Sequence, residues 1–174
     1  VHELRRGHSP APEGLVIPTI IGVDPGLTTG IAVYSPAPVL RSAGAWDLLQ
    51  VTRGAVLPVV RALSVNWPVM IAVEGFVVGP RAARSSTPEG GRTARELISV
   101  LSQLAGPDVQ VVVRNASQVK PWATDKRLDA AGVPTTPGMR HARDGARQAL
   151  YSAVRDCGLP DPLSTRHRSP EVSS

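Results

Sequence analysis

The chain has 174 residues, with 19 Lys and Arg against 14 Asp and Glu, a net charge of +5 at pH 7. That length suits one domain with its own core, and a single cysteine, Cys157, excludes an internal disulfide framework. No apolar run approaches the ~20 residues of a membrane span and no signal-type apolar stretch follows Arg5 and Arg6, so a cytoplasmic protein is expected, whose basic excess suits a polyanionic partner. Phe76 is the only phenylalanine. Val, Ala, Leu and Ile supply most of the apolar content, so the core is expected to be aliphatic.

Residues 1–15 are polar and proline-bearing and read as a flexible N-terminal arm. A single domain is expected over 16–158, and a disordered tail, rich in Pro, Ser and Arg, over 159–174. Val16 to Asp24 is apolar and β-branched, which predicts a buried strand. Pro25, Gly26 and Gly30 bracket a tight turn, Ile31 to Tyr34 returns as a second strand, and Val39 to Trp46 is the expected third. Val51 to Val65 predicts a helix, with Pro58 as a warning inside it. Val69 to Val73, ending at Glu74, reads as a central strand.

Residues 77–91 carry Gly, Pro, Ser and Arg and predict a loop. Ala94, Leu97, Ile98, Leu101 and Leu104 then recur at helical spacing, giving a helix over 92–105 that stops at Gly106-Pro107. Its apolar stripe is expected to pair two subunits, with packing on the chain's own sheet as the alternative. Val109 to Val113 is a further strand, and Ser117 to Ala131 predicts short helices with a basic centre. Thr136 and Pro137 read as N-cap and first position of a last helix that ends near Gly158. The order β-β-β-α-β-α-β-α predicts an α/β fold with a mixed sheet, three antiparallel strands followed by parallel ones.

Two carboxylates end apolar strands. Asp24 closes Ile20-Ile21-Gly22-Val23, and Glu74 closes Met70-Ile71-Ala72-Val73. A charge there costs desolvation unless something compensates it, and ligands of open sheets bind at the carboxyl ends of strands. His141 and Asp144, three apart on the last helix, share a face. Together these side chains form a hard, oxygen-rich donor set that suits Mg²⁺ or Mn²⁺. Each also has an ordinary reading: Asp24 before Pro-Gly suits a turn, Glu74 a surfaced strand end, and Asp144 the first turn of a helix.

The segments Ile21-Gly-Val-Asp24-Pro-Gly-Leu-Thr-Thr-Gly30, Ile71-Ala-Val-Glu74-Gly-Phe76 and His141-Ala-Arg-Asp144-Gly-Ala-Arg-Gln-Ala-Leu150 occur in this order over residues 19–157. They resemble the first, second and last motifs of the RuvC-like Holliday-junction resolvases, including the pattern of phage-encoded members. The resemblance implies an RNase H-like fold and a homodimer that resolves four-way DNA junctions in recombination and repair by paired phosphodiester hydrolysis. It implies two Mg²⁺ ions, for which Mn²⁺ can substitute, held by Asp24, Glu74, His141 and Asp144. It places Lys120 and Lys126 in a basic segment facing the scissile phosphate, and Phe76 where an aromatic stacks at the opened junction. A solvated helix face for the lysines and a core place for Phe76 are the alternatives. Arg81, Arg84, Arg92 and Arg95, set against Glu89, are the expected phosphate contacts. Gly75 departs from the family, which often has a polar residue there.

Three rivals carry part of the same pattern. An RNA-processing nuclease of the same fold, such as the pre-16S ribosomal RNA nucleases, shares the opening motif. An actin-like ATP-binding protein shares the Asp24-Pro-Gly turn but needs a second Gly-rich phosphate loop, which the chain lacks. A non-cleaving junction-binding dimer would have no need of all four ligands.

Overall fold

The computed structural model describes residues 17–36, 45–65, 68–76 and 87–164. Five strands, β1 (Thr19–Asp24), β2 (Thr28–Ser35), β3 (Ala45–Thr52), β4 (Val69–Gly75) and β5 (Val109–Asn115), form one sheet in the order β3-β2-β1-β4-β5. β1, β2 and β3 are antiparallel neighbours, and β4 and β5 run parallel to β1. The described helices are α1 (Arg53–Leu63), α2 (Pro88–Ser102), α3 (Ala116–Val119), α4 (Asp125–Ala130) and α5 (Arg140–Arg155). The expected α/β class and mixed sheet are therefore present. No helix among the described residues is long and apolar enough to cross a membrane.

The alternation of side chains sorts the core onto two unlike faces. On one, Ile21, Val23, Ile31, Val33, Ile71 and Val73 pack under Val56 and Val60 of α1 and Leu97 and Leu101 of α2. Fully burying such a branched aliphatic contributes about 1.5–3 kcal/mol, so this face carries much of the stability. The other face is shallow, with Gly22, Gly30, Ala32 and Ala72, and α5 meets it with Ala142, Gly145, Ala146, Ala149 and Ala153. A Cβ on Gly22 would fall 2.0 Å from the Gly145 carbonyl oxygen, and one on Gly30 would fall 1.9 Å from the His141 carbonyl. Small residues on both sides thus bring the helix backbone into contact with the strands.

Several boundaries differ from expectation for physical reasons. Among the described residues the third strand is Ala45–Thr52, where Trp46 and Leu48 pack towards α4 and α5 while Leu49 and Val51 pack towards α1; most of the expected strand over 39–46 lies outside the described residues. α1 consequently starts at Arg53 and runs through Pro58. The end of the expected loop is helix: Thr87 Oγ1 accepts from the Gly90 N–H at 3.1 Å, with Pro88 in the first turn of α2. α5 begins at Arg140 rather than Pro137, after Gly138 at φ 79°.

The α2 stripe is spent within the chain, since Ala94, Leu97 and Leu101 are buried and Ile98 and Leu104 pack against the same core. It is not a free dimer face. Leu159 to Ser164 belong to the folded domain instead of the expected tail: Leu159 packs on the third core cluster, and Asp161 accepts from Arg127 Nε at 3.1 Å. The expected arm over 1–15 and the remainder of the tail lie outside the described residues.

Candidate active site

The site is assembled as one row across the sheet. β1 and β4 are parallel with Val23 beside Val73, so the next residues, Asp24 and Glu74, stand at the carboxyl end of neighbouring central strands. Across β2 and β3 the row continues, Asp24 opposite Gly30 and Gly30 opposite Gln50. α5 lies over this row and brings His141, Asp144 and Gln148 along one stripe. The turn that follows Asp24 is closed by buried Thr29, whose hydroxyl donates to the Gly26 carbonyl at 3.1 Å.

The four expected ligand residues fall into two sets of contacts. His141 Nδ1 lies 2.9 Å from Asp24 Oδ2. The Lys120 ammonium, at the C-terminal end of α3, lies 3.5 Å from Glu74 Oε1 and 3.5 Å from Asp144 Oδ2. Buried Gln148 donates from Nε2 to Glu74 Oε2 at 3.4 Å. Arg147 donates from Nε to Asp144 Oδ1 at 3.2 Å and also grips Asp125 and the Ala123 carbonyl, tying the segment after Lys120 to α5.

Burial pushes the carboxyls of Asp24 and Glu74 above the usual carboxylate range. For Asp24 the His141 hydrogen bond opposes the rise and the Asp144 charge adds to it. For Glu74 the Lys120 charge opposes it, while Asp24 and Asp144 add to it. Each carboxyl therefore feels the other negative groups of the row.

A folded-state pKa raised above the unfolded value means that the native state binds the extra protons. Stability from these two groups is thus present below the ordinary carboxylate pKa and is lost as pH rises through the raised values. Asp125 and Asp161, whose carboxyls are lowered by their arginine partners, act in the opposite sense. The comparison that isolates the pair is the wild type against Asp24→Asn with Glu74→Gln. Without divalent cations, the thermal stability of the double variant is expected to exceed that of the wild type by a margin that widens from about pH 4 to neutral. A margin independent of pH would contradict the assignment.

The donor set, three carboxylates and one imidazole, fits a hard divalent cation in kind, and the gap between Glu74 and Asp144 already accepts a positive charge. His141 is paired with Asp24, however, while Glu74 and Asp144 are both paired with Lys120. Among the described residues no group of three or more His, Cys, Asp or Glu is placed to hold a metal ion.

The remaining expected site residues are spread more widely. Lys126 is exposed on α4 and, among the described residues, takes no part in the contacts with Glu74 and Asp144 that Lys120 makes. Phe76 is half-buried: a Cβ on Gly91 would fall 2.9 Å from its ring, and the Arg95 guanidinium lies 5.6 Å from the ring centroid. Its ring thus docks on α2 rather than standing free. Arg92 is exposed on α2, and Arg81 and Arg84 lie outside the described residues.

Sequence reasoning missed Gln50, Gln148 and Arg147. Arg147 and Gln148 were accessible to it, three and four residues after Asp144, at the spacing that shares a helix face. Nothing in the sequence marks Gln50, which acts through a strand pairing. A scan against models of known protein families matches none, and a search of curated proteins returns no match.

Proposed function

We propose that the protein is a metal-dependent endonuclease of the RuvC-like, RNase H-like kind that acts on branched DNA, with the four-way junction as its substrate. The observation that carries this reading is the row of Asp24 and Glu74 on adjacent parallel strands, with His141 and Asp144 of α5 laid over it and Lys120 at its rim. The sheet, three antiparallel strands followed by two parallel ones, supports it as the arrangement expected of an RNase H-like fold. Asp24, Glu74, His141 and Asp144 would hold Mg²⁺ or Mn²⁺, which when bound would supply the charge that activates water and stabilises the leaving oxygen of a phosphodiester.

The chain's own groups divide the remaining work. Arg147 and Gln148 fix the carboxylates of Asp144 and Glu74, and Lys120 places an ammonium where charge builds on the phosphoryl oxygens. Exposed Arg92, with Arg81 and Arg84, would contact the phosphate backbone, which sets affinity without reading sequence. Lys120→Ala is expected to lower the single-turnover cutting rate about tenfold or more, the loss of one good transition-state contact. Arg81→Ala or Arg84→Ala should weaken binding and flatten its salt dependence. A normal rate for Lys120→Ala at saturating junction would remove the lysine from the chemistry.

Two symmetric cuts call for a two-fold assembly, so a homodimer is part of the proposal, formed through a surface other than the α2 stripe. Sedimentation at the protein concentration used for cutting checks it, and the mass of a single chain would remove that part. The decisive experiment incubates the protein with a synthetic four-way junction, a flap, a linear duplex and a structured RNA, with and without Mg²⁺. Paired nicks in the junction alone, only with Mg²⁺, are expected. Cutting of structured RNA instead would favour the RNA-processing alternative.

A further inference from the structure

Gln50 lies on edge strand β3, outside every motif read from the sequence. Its side chain spans the start of α5. Oε1 accepts from the His141 backbone N–H at 2.9 Å, and Nε2 donates to the Gly138 carbonyl at 2.9 Å. The helix start lacks a local substitute, because Met139 at the N-cap position makes no side-chain capping bond. First-turn N–H groups have no partner within the helix, and here one is satisfied by a residue 91 positions away in sequence.

The register shows what this bond can control. Asp24, Gly30 and Gln50 are successive partners across β1, β2 and β3, and the middle position has no side chain. The backbone of His141 occupies that space, so close that a Cβ on Gly30 would fall 1.9 Å from it. Neighbouring strands are about 4.8 Å apart, so Gln50 and Asp24 flank the glycine at a distance that one histidine bridges. Gln50 takes its backbone, and Asp24 takes its ring, 2.9 Å from Nδ1.

We infer that Gln50 is a positioning residue: through the backbone of His141 it fixes the imidazole against Asp24. Gly30 sets the height of His141 above the sheet, and Gln50 sets its place along the row. The inference deepens the proposed nuclease reading, on which its metal-affinity consequence rests, but the contact itself can be measured without metal or DNA.

The test uses Gln50→Met, which keeps length and loses both hydrogen bonds, made alone and together with His141→Ala. The first readout is the nuclear Overhauser effect between the His141 ring and the Asp24 β protons, in metal-free protein at one fixed pH. It is expected to weaken clearly in Gln50→Met, and an unchanged effect would overturn the inference whether or not the protein is a nuclease. The second is Mn²⁺ affinity by calorimetry. Gln50→Met should lower it about tenfold, the scale seen for groups that orient a ligand. In the His141→Ala background the same substitution should change it by no more than about twofold, because the residue it acts through is gone.

Equal affinity losses in both backgrounds, with equal losses of thermal stability, would mark a clamp on the fold alone and overturn the proposal. Absence of Mn²⁺ binding by the wild type would sink the nuclease reading and leave the first readout to decide. Should Gln50→Met not fold, Gln50→Glu replaces it, keeping an acceptor for the His141 N–H. Retention of the ring contact is then expected, and its loss would overturn the inference.

Discussion

Asp24→Asn is expected to abolish junction cutting, lowering the single-turnover rate by about 10³ or more, the upper scale for losing one electrostatic group at a reacting centre. Asp24 is the centre of the row, beside Glu74 in one direction and Gly30 in the other, and its carboxylate meets the His141 ring. The amide keeps the shape and an acceptor for that ring but removes the charge that would hold a divalent cation. Junction binding should persist or tighten, because a negative charge facing phosphate is gone. The metal-free variant should also melt higher, since burial raises the Asp24 pKa more than its partners lower it. Relief of about 1 kcal/mol would move the melting temperature by about 2–4 °C in a domain of this size. Full cutting by this variant would remove Asp24 from the site, and an unchanged or lower melting temperature would count against the desolvation argument.

Gly30→Ala should have the largest effect on the protein itself. The added Cβ falls 1.9 Å from the His141 backbone, which cannot turn aside as a flexible side chain would. Either α5 lifts from the sheet or β2 gives way. The expected loss of stability exceeds the about 1–3 kcal/mol typical of an overpacked core. Cutting should fall at least about 10²-fold, because a displacement of 1 Å at a reacting centre costs that much. Gly54→Ala is the control, since a Cβ on that α1 residue meets nothing within 4 Å. It should be neutral or stabilise by about 0.5–1 kcal/mol, as Ala for Gly does within a helix. Melting curves and single-turnover rates for both variants decide the matter. Equal behaviour would mean that the α5 seam is softer than its distances imply.

Much of this arrangement is legible in the sequence because it rests on local pattern. The apolar runs ending at Asp24 and Glu74 mark central strands, and the stripe through Ala94, Leu97 and Leu101 marks a helix, although the sequence assigned that stripe to a second subunit and it packs in the chain's own core. Asp24 and Glu74 are nominated by the cost of placing a charge after a buried run, and His141 with Asp144 by helical spacing. What the sequence left open depends on pairing between distant segments. The strand over 45–52 was not delimited by local pattern, since Trp46 and Leu48 pack on one face and Leu49 and Val51 on the other, so neither face alone marks it. The start of α5 was misplaced because Thr136-Pro137 is a good local helix signal, whereas Gly138 at positive φ sets the boundary. The role of Gln50 follows from two strand registers and one helix contact, none of which a local pattern records.

The layout of the site as a row perpendicular to the strands ties function to fidelity of folding. Asp24, Glu74 and Gln50 lie on three different strands, and each faces α5 only in the native register. A slip of one residue in any of these pairings turns that side chain to the opposite face of the sheet. A slip at Asp24 or Glu74 would press a carboxylate into the aliphatic layer beneath α1 and α2, whereas a slip at Gln50 would leave both carboxylates in place and free the start of α5. If the proposed nuclease reading holds, cutting by a refolded preparation should fall with the share of molecules in which β1 or β4 has slipped, even where their helical content looks complete.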